Sequence, residues 1–589
     1  MRYKTLVVTL ALCLISNLAC AAVADGAAQR SQRLNALIAD QWQYTMEQSP
    51  EWATSVGDYR YNNRWSDMSL AHVRADRRAN ETFLRRFLAI NTVGLSEQDQ
   101  LNHRLMVQQL RESIEATDLK LYEMPVDQFT GIQIGLPGAV PTMPFDNVKH
   151  YEDYITRLNG IPKLLQQVTG VLRQGRADNM MPPRFLLNKV VAQTIAIAAP
   201  VGLDNAFGQP ALQFPDSIPA AEQQRLRALI IRAVNSKVRP AYESFARYLE
   251  KDYAPFGRAD AGIWSLPNGE RLYEFLVRRQ TTTTMKPEEI HALGMREVER
   301  IEGEMTAIAH TLGFSSLAEL RASVSTDASQ HATSREQILE LYRHYIAEMQ
   351  PKLPTLFGLL PKTPVEVHAV QAYREKGAAG AEYNPGTADG SRPGMVFVNT
   401  GDFAQRELLT VESTAYHEAV PGHHMQISIA QGLGDLPPFR QNAGYTAYVE
   451  GWALYSERLG KDIGFFRDPY SDYGRLVSEL LRADRLVLDT GVHFKHWTRE
   501  QMIDFFHAHA AGDEPTFQAE TDRYIAAPGQ ALCYKLGQLQ FLALRDRAKK
   551  ELGDHFDIRA FHDQMLKGGA LPLSILESEF ETWLTQAHH

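Results

Sequence analysis

Apolar side chains recur at the three- and four-residue spacing of a helix face along most of the chain, with polar or charged residues between them. This periodicity predicts amphipathic α-helices. The helices that it predicts cover residues 72–89, 98–117, 151–175, 183–199, 220–251, 476–490, 499–510 and 538–552. Residues 125–147, rich in proline and glycine, are predicted to form a long loop within this helical series. The predicted fold class is therefore mainly α.

Two short stretches break the helical pattern. Residues 365–371 and 394–399 are rich in β-branched and other apolar side chains and predict strands, and a glycine-rich turn segment, residues 377–393, separates them. Both strands come shortly before a helical run that ends near residue 418. We therefore expect a small β-sheet beside that helix.

The first 24 residues have the pattern of a secretory signal peptide. Arg2 and Lys4 precede an apolar run at residues 6–15, and small residues follow it up to Ala24. A membrane-spanning helix needs about 20 apolar residues, which neither this run nor any later one supplies. We expect cleavage after Ala24, a periplasmic or secreted protein, and no integral membrane segment.

The three cysteines support the same interpretation. Cys13 and Cys20 lie in the leader, so the mature chain keeps only Cys533 and forms no internal disulfide. Cys20 is an alternative site for a lipid anchor. Asn17 stands where lipoproteins usually carry an aliphatic residue, so cleavage after Ala24 is favoured.

Composition and charge limit the classes of partner. The chain has 589 residues, of which 44% are hydrophobic and 22% charged, as in ordinary soluble globular proteins. Loss of Arg2 and Lys4 with the leader changes the formal net charge from -9 to -11. An acidic chain of this kind argues against nucleic acid or an anionic membrane surface as the main partner.

The stretch with the clearest chemistry places a His417-Glu418 pair shortly before His423 and His424. Two histidines and an adjacent glutamate predict a zinc hydrolase centre, with Glu418 as the general base. The usual spacing is His-Glu-x-x-His, but Pro421 occupies the fourth position here. In a regular helix His423 would lie about 240° round from His417, and His424 about 10 Å along the axis. The helix must therefore be interrupted at the Pro-Gly pair, and we predict His417 and His423 as ligands with His424 as the alternative.

A second helical stretch, residues 448–457, carries Glu450 and Glu457 seven residues apart on one face. Glu450 is the predicted third ligand. Three protein ligands leave an open coordination position, which a catalytic zinc site requires and a structural site lacks. Zn²⁺ is therefore the predicted cofactor.

The predicted strands suggest where a substrate would bind, because a strand edge beside a metal helix can pair with a peptide backbone. The edge at residues 395–399, with Val398 and Asn399, and the loop at residues 381–384, with Tyr383, are the predicted substrate cradle. An ordinary small hairpin is the alternative.

Hydrolysis of a peptide also requires a donor for the oxyanion that develops on the attacked carbonyl. Tyr524, Tyr534 and His493 are the candidates, and each could instead be a hydrogen-bonding group of the core. Arg482 and His424 are predicted to contact substrate.

Several motifs carry a family resemblance: HEAVPGHH, DGSRPGMVFVNT, EGWALYSE, DTGVH, RYIAAPGQALCYKLG and FHDQMLKGGALPL. Together they resemble the bacterial domain-of-unknown-function 885 family over most of the mature chain, most densely from Tyr383 to Leu573. That family is similar to thimet-type oligopeptidases and other helical zincins. The resemblance implies a two-lobed zincin-like fold with a deep cleft, Glu450 as ligand and Glu457 as a group behind the ligands. The enlarged spacing between the two histidines departs from those peptidases.

These observations predict a signal peptide at residues 1–24 and a single catalytic unit at 25–589. Its helical scaffold lobe covers about 30–360 and its zinc-site lobe about 361–589. The expected function is zinc-dependent hydrolysis of short peptides. The alternatives are a zinc-dependent amide or ester hydrolase of a small molecule, and a non-catalytic peptide-binding protein.

Overall fold

A computed structural model describes residues 3–587 except 372–374, 376–378 and 513, and of residues 3–25 it describes the backbone alone. The side chains of Ala24, at the predicted cleavage site, and Cys20, at the alternative lipid site, therefore lie outside the described part. Gly377, the start of the predicted turn, lies wholly outside it.

The described chain is mainly helical, as predicted. Its α-helices are α1 (Tyr3–Gln48), α2 (Pro50–Ser55), α3 (Leu70–Leu88), α4 (Glu97–Asp118), α5 (Ile132–Gly138), α6 (Val148–Ala177), α7 (Arg184–Ala198), α8 (Ala220–Ala233), α9 (Arg239–Tyr248), α10 (Gly269–Thr281), α11 (Pro287–Thr311), α12 (Leu317–Thr326), α13 (Arg335–Met349), α14 (Leu353–Leu356), α15 (Val411–Glu418), α16 (His423–Gln431), α17 (Pro438–Gln441), α18 (Thr446–Asp462), α19 (Pro469–His493), α20 (Arg499–His509), α21 (Glu514–Ala526), α22 (Cys533–Leu552), α23 (Ile558–Leu566) and α24 (Leu573–Ala587). Among the described helices, none is long and apolar enough to cross a membrane.

Local capping chemistry explains several helix starts. Ser69 and Ser96 accept hydrogen bonds from the backbone N–H groups of His72 and Asp99, at 3.2 and 3.1 Å, at the starts of α3 and α4. Each serine satisfies a donor that the first turn of a helix leaves unpaired.

Two predictions in the helical region need correction. The predicted loop at residues 125–147 contains the helix α5. The predicted helix at residues 220–251 is divided into α8 and α9 by a π-helical turn at Val234–Val238, and a second one at Leu249–Tyr253 follows α9. Hydrophobic spacing alone does not report a single inserted residue in a helical turn.

The chain divides into two compact units. The first comprises Met1–Pro125, Thr142–Gly175 and Gln213–Ala241, and the second comprises Val126–Pro141, Arg176–Leu212 and Tyr242–His589. The predicted lobes, which meet near residue 360 within one catalytic unit, stay a prediction. All the predicted site residues belong to the second unit.

Within the described residues the β-sheet has three strands, and their order corrects the predicted cradle. β1 (Val365–Ala369), β2 (Ala381–Asn384) and β3 (Gly394–Val398) lie in the order β1-β3-β2. β3 is therefore central, paired in parallel with β1 and antiparallel with β2. The predicted edge at residues 395–399 is not an edge, and the predicted loop at 381–384 is a strand. β2 packs against α15, and β1 packs against α13.

Two glycines allow α18 and α22 to approach unusually closely. A Cβ atom on Gly537 would lie 1.9 Å from the carbonyl oxygen of Ala447 and 2.6 Å from Cα of Gly451, and a Cβ on Gly451 would lie 2.4 Å from Cα of Gly537. Backbone atoms cannot yield as a flexible side chain can, so only glycine fits at either position. This crossing sets Glu450, one residue before Gly451, beside the first turn of α22.

We predict that Gly537→Ala lowers the free energy of unfolding by about 1–3 kcal/mol, because the added methyl forces the two helices apart. Gly303→Ala is the matched control: Gly303 lies within α11 with no atom near an added Cβ, and alanine there should stabilise by about 0.5–1 kcal/mol. Denaturant unfolding of both variants measures the difference. Equal effects would mean that the α18–α22 crossing tolerates a side chain.

Candidate metal centre

The helix bearing the His-Glu pair is interrupted as predicted. α15 ends at Glu418 and α16 begins at His423, with a cis peptide bond between Val420 and Pro421. A Cβ atom on Gly422 would lie 2.0 Å from the carbonyl oxygen of His417. Glycine is therefore required for the chain to fold back onto the end of α15.

The interruption is held by the helix that carries Glu450. The carbonyl oxygen of Pro421 accepts hydrogen bonds from Trp452 Nε1, at 2.8 Å, and Ser456 Oγ, at 3.2 Å. Both donors lie on α18 and are fully buried. The same helix thus presents the third predicted ligand and fixes the segment between the first two.

The three predicted ligands meet in one place. His417 Nε2 lies 3.5 Å and His423 Nε2 3.4 Å from Glu450 Oε2, and the three ligand atoms lie within 4.8 Å of one another. The two imidazole rings stand perpendicular, with centroids 4.7 Å apart. Both histidines are buried, whereas the Glu450 side chain remains 19% exposed.

These distances fit a metal ion better than direct hydrogen bonds. Charge-assisted N–H···O bonds usually measure about 2.7–2.9 Å, and both N–O distances here are longer. For a tetrahedral zinc ion bound at about 2.0–2.2 Å, neighbouring ligand atoms lie roughly 3.4 Å apart. Nδ1 of His423 is buried without a hydrogen-bond partner among the described residues.

Glu457 orients His417. Its Oε1 lies 2.7 Å from His417 Nδ1, and both side chains are buried. A hydrogen bond of this kind keeps the proton on Nδ1 and directs the Nε2 lone pair towards a metal. Arg482 Nη2 lies 3.8 Å from the same carboxylate oxygen. Glu457 is therefore placed behind the ligand set, as the family resemblance implied.

The electrostatics favour a cation at this point. Burial lowers the pKa of His417, but the carboxylates of Glu450 and Glu457 outweigh it and raise that pKa to about 9. Burial raises the pKa of Glu450, yet His423 and His417 hold it well below its usual range. The carboxylates thus stabilise positive charge here, whether a proton or a metal ion carries it.

His424, which directly follows His423, makes different contacts. His424 Nε2 donates to the carbonyl oxygen of Thr363 at 3.1 Å, and its Nδ1 accepts from the Tyr383 hydroxyl at 3.0 Å. Burial lowers the pKa of His424 to about 4, so the ring is neutral and both nitrogens are occupied. The hydrogen bond between His424 and Tyr383 joins α16 to β2. His424 lies outside the cluster of His417, His423 and Glu450.

Glu418, the predicted base, is the last residue of α15 and is buried. It follows His417 and points about 100° round the helix from it. Tyr342 of α13 is an electrostatic neighbour: burial, and then the charge of Glu418, raise the pKa of the Tyr342 hydroxyl. Sequence patterns did not indicate Tyr342, because its proximity comes from helix packing between residues far apart in the chain.

The three predicted oxyanion donors differ in their surroundings. The Tyr524 hydroxyl donates to Glu520 at 2.5 Å and accepts from Arg485. The two ring nitrogens of His493 are bonded to backbone groups, N–H of Ile263 and the carbonyl oxygen of Tyr524. Both groups are therefore committed within the fold, and their catalytic roles stay predictions.

Tyr534 is the candidate on whose hydroxyl the charge of a predicted ligand acts. Burial, and then the charge of Glu450, raise the pKa of its hydroxyl. That oxygen accepts hydrogen bonds from Arg523, at 2.9 Å, and Gln530, at 3.3 Å. With both contacts donating to the oxygen, the hydroxyl proton remains available for a further acceptor. Sequence reasoning missed Arg523 and Gln530, although both belong to the motif that contains Tyr534.

The remaining predicted substrate residues lie in or next to the sheet, and on α19. Val398 and Asn399 are buried. Asn399 Nδ2 donates to the carbonyl oxygen of Glu375 at 2.8 Å, so this side chain supports the chain rather than facing a strand edge. Arg482 donates to Ser478 Oγ at 2.6 Å, one turn earlier on α19.

Comparison with known proteins shows that the chain is similar to bacterial proteins of unknown function. The family model described as "Bacterial protein of unknown function (DUF885)" matches residues 50–580. The chain is similar to "the putative lipoprotein from Colwellia psychrerythraea", with 30% identity, a TM-score of 0.89, and coverage of 95% of this chain and 100% of that one. A "putative lipoprotein of unknown function from Shewanella oneidensis" is 19% identical with a TM-score of 0.68, covering 93% and 99% of the two chains, a likeness in fold alone. No curated protein matches.

The ligand set predicts distinct effects at the adjacent histidines. His423→Ala and Glu450→Ala should lose bound zinc, whereas His424→Ala should keep it, because both nitrogens of His424 serve Thr363 and Tyr383. Metal content after dialysis, measured by atomic emission, checks this. The first two variants should also lose the increase in melting temperature that added zinc gives the parent. Zinc retained by His423→Ala and lost by His424→Ala would exchange the two roles.

Proposed function

The chain belongs to the bacterial DUF885 family, whose function is unknown, and from the geometry of its candidate metal centre we propose that it is a zinc-dependent peptidase acting on short peptides. The observation that carries the proposal is the cluster of His417, His423 and Glu450 with Glu418 directly after the first ligand. Two imidazoles, one carboxylate and an open position are the donor set of a catalytic zinc site.

Each residue of the site has a proposed role. Zinc held by His417, His423 and Glu450 would supply Lewis-acid activation of water and of the scissile carbonyl. Glu418 accepts a proton from the attacking water and returns it to the leaving amine. The Tyr534 hydroxyl, polarised by Arg523, donates to the carbonyl oxygen as negative charge develops there. The atoms balance as addition of one water across one amide bond.

A strand edge supports peptides as the substrate class. β3 pairs with β2 along one side, and the other side of β2 has no strand partner among the described residues. α15 packs against β2, and Tyr383 of β2 is bonded to His424 of α16. A peptide that added to this edge would run beside the metal helices, held by backbone hydrogen bonds independent of its sequence.

Export from the cytoplasm is part of the proposal. The leader pattern at residues 1–24 and the similar Colwellia protein, described as a "putative lipoprotein", support it. That relative also favours lipid attachment at Cys20 as the route by which an exported chain would stay at the membrane surface.

The mature chain from cells should therefore lack at least its first 19 residues. Intact-mass and N-terminal analysis distinguish the two processing routes: a first residue of Asp25 indicates cleavage after Ala24, and a lipid-modified Cys20 indicates an anchor. A chain that keeps Met1 and remains in the cytoplasm would contradict export.

The peptidase proposal is tested by Glu418→Gln, which keeps size and hydrogen bonding but cannot accept the water proton. We expect normal folding and zinc content, with hydrolysis reduced by about two to four orders of magnitude, the range for loss of a general base. Cleavage of mixed short peptides, followed by mass spectrometry with and without chelator, measures this.

Acylated amino acids and simple esters offered to the same preparations test the alternative hydrolase. If a zinc-loaded parent cleaves none of these compounds, the enzyme proposal fails and a binding protein takes its place. Unchanged turnover in Glu418→Gln would remove Glu418 from the mechanism.

A further inference from the structure

Two arginines lie beside Tyr534 and share one carboxylate: Arg485 is buried, and the side chain of Arg523 is 16% exposed. Arg485 of α19 has its guanidinium 4.4 Å from the centre of the Tyr534 ring, and Arg523 of α21 donates to the Tyr534 hydroxyl. Glu520 is the carboxylate recorded in contact with them, with one oxygen 2.9 Å from Arg485 Nη2 and the other 3.5 Å from Arg523 Nη1. Two cations against one anion leave this cluster of side chains with an excess positive charge.

The hydrogen-bonding capacity of the pair is also incomplete. Arg485 uses Nε on Tyr524 and Nη2 on Glu520, but its buried Nη1 has no hydrogen-bond partner among the described residues. Arg523 uses Nη2 on Tyr534 and Gln530, and its buried Nε likewise has no such partner in the described part of the chain. Arg485 is only 4% exposed.

Such an arrangement is costly unless an anion completes it. An unpaired buried donor costs about 1–3 kcal/mol, and more when it is charged. Burial and the charge of Arg485 both oppose the protonated form of Arg523, although Tyr534 and Glu520 raise the pKa of Arg523 overall. Arg499 of α20, by contrast, donates to both Asp522 and Gln518.

The position of this excess charge relates it to the metal centre. Both arginines contact Tyr534, and the charge of Glu450 also acts on the Tyr534 hydroxyl. Phe129, 41% exposed, lies 4.8 Å from the Arg523 guanidinium and covers it with an apolar ring. An anion bound by Arg485 and Arg523 would therefore lie beside Tyr534, the proposed donor to the substrate carbonyl.

We propose that Arg485 and Arg523 bind the free C-terminal carboxylate of the substrate, which makes the enzyme an exopeptidase that acts at peptide C-termini. This inference rests on the proposed peptidase function. The planar fork of a guanidinium matches a carboxylate. A terminal carboxylate is the one anion that short peptides of any sequence share. Binding it would set the scissile bond a short, fixed distance from Tyr534 and Glu418.

Binding is measured first, separately from catalysis. The protein is the zinc-loaded full chain with Glu418→Gln, and the probes are one N-acetylated tripeptide as its free acid and as its C-terminal amide. We expect the acid to bind about 10- to 100-fold more tightly by calorimetry, the range for a hydrogen-bonded charge. A third probe is the C-terminal amide of a tripeptide that contains glutamate. It tests whether the arginines bind an acidic side chain instead of the C-terminal carboxylate.

Substitutions at Arg523 and at Arg499 give the matched comparison. Arg523→Gln in the same background should reduce the acid-to-amide ratio of Kd values to within about threefold, and Arg523→Lys should give an intermediate ratio. Arg499→Gln should keep the parent's ratio, since Arg499 is paired within the fold. Circular dichroism and zinc content confirm folding. If Arg523→Gln does not fold, the acid-to-amide ratio of Kd values for the Glu418→Gln protein with Arg523 intact still tests the inference.

The outcomes separate this inference from the proposed function. Equal binding of acid and amide, a ratio unaffected by Arg523→Gln, or equally tight binding of the glutamate amide would each overturn the C-terminal site. Hydrolysis of acid and amide peptides at equal kcat/KM by the parent would also overturn it while upholding the peptidase. Selective binding of the acid without hydrolysis of any peptide would uphold the carboxylate site and overturn the peptidase.

Discussion

The carboxylate of Glu450 holds two imidazoles close together, and the rest of the site depends on that electrostatic attraction. His417 and His423 would otherwise present two nitrogen lone pairs, or two positive charges, to each other in a buried place. One shared oxygen at 3.4–3.5 Å from each Nε2 makes the arrangement stable and gives it the spacing of metal ligands. Glu457 adds a second negative charge behind His417. The carboxylates of Glu450 and Glu457 thus stabilise positive charge at this point, whether a proton or a metal ion carries it.

Backbone geometry brings these charges together, and it does so at two places where only glycine fits. Gly422 lets the chain fold back between α15 and α16, so that two histidines six residues apart face the same point. Gly451 and Gly537 let α18 and α22 cross at backbone contact, which sets Tyr534 of α22 near Glu450 of α18. Pro421 connects the two features, because its carbonyl oxygen accepts hydrogen bonds from α18. Ligand positions are thereby tied to helix packing rather than to flexible loops.

The sign of the charge changes across Tyr534. On the side of the ligands the side chains are mainly carboxylates, and on the side of α19 and α21 two guanidinium groups share one carboxylate. A peptide substrate has matching polarity, since its polarised carbonyl approaches a cation and its C-terminus carries an anion. This complementarity relates the proposed reaction to the proposed specificity, and it arises from residues on six different helices.

The sequence by itself determined most of the helices, the His417-Glu418 pair and Glu450, because hydrophobic period, capping residues and ligand spacing are local properties that neighbouring residues express. It also showed that the helix must break at Pro421, since helical phase alone would send the second histidine to the wrong face. Tertiary structure decided what depends on distant residues. The choice of His423 over His424 followed from the bonds of His424 to Thr363 and Tyr383. The central place of β3 and the edge position of β2 followed from strand pairing, which no single strand's pattern encodes. The incomplete pairing of Arg485 and Arg523 became visible only once residues 35 to 40 positions apart were packed together, because charge balance in a buried pocket is a property of the assembled fold.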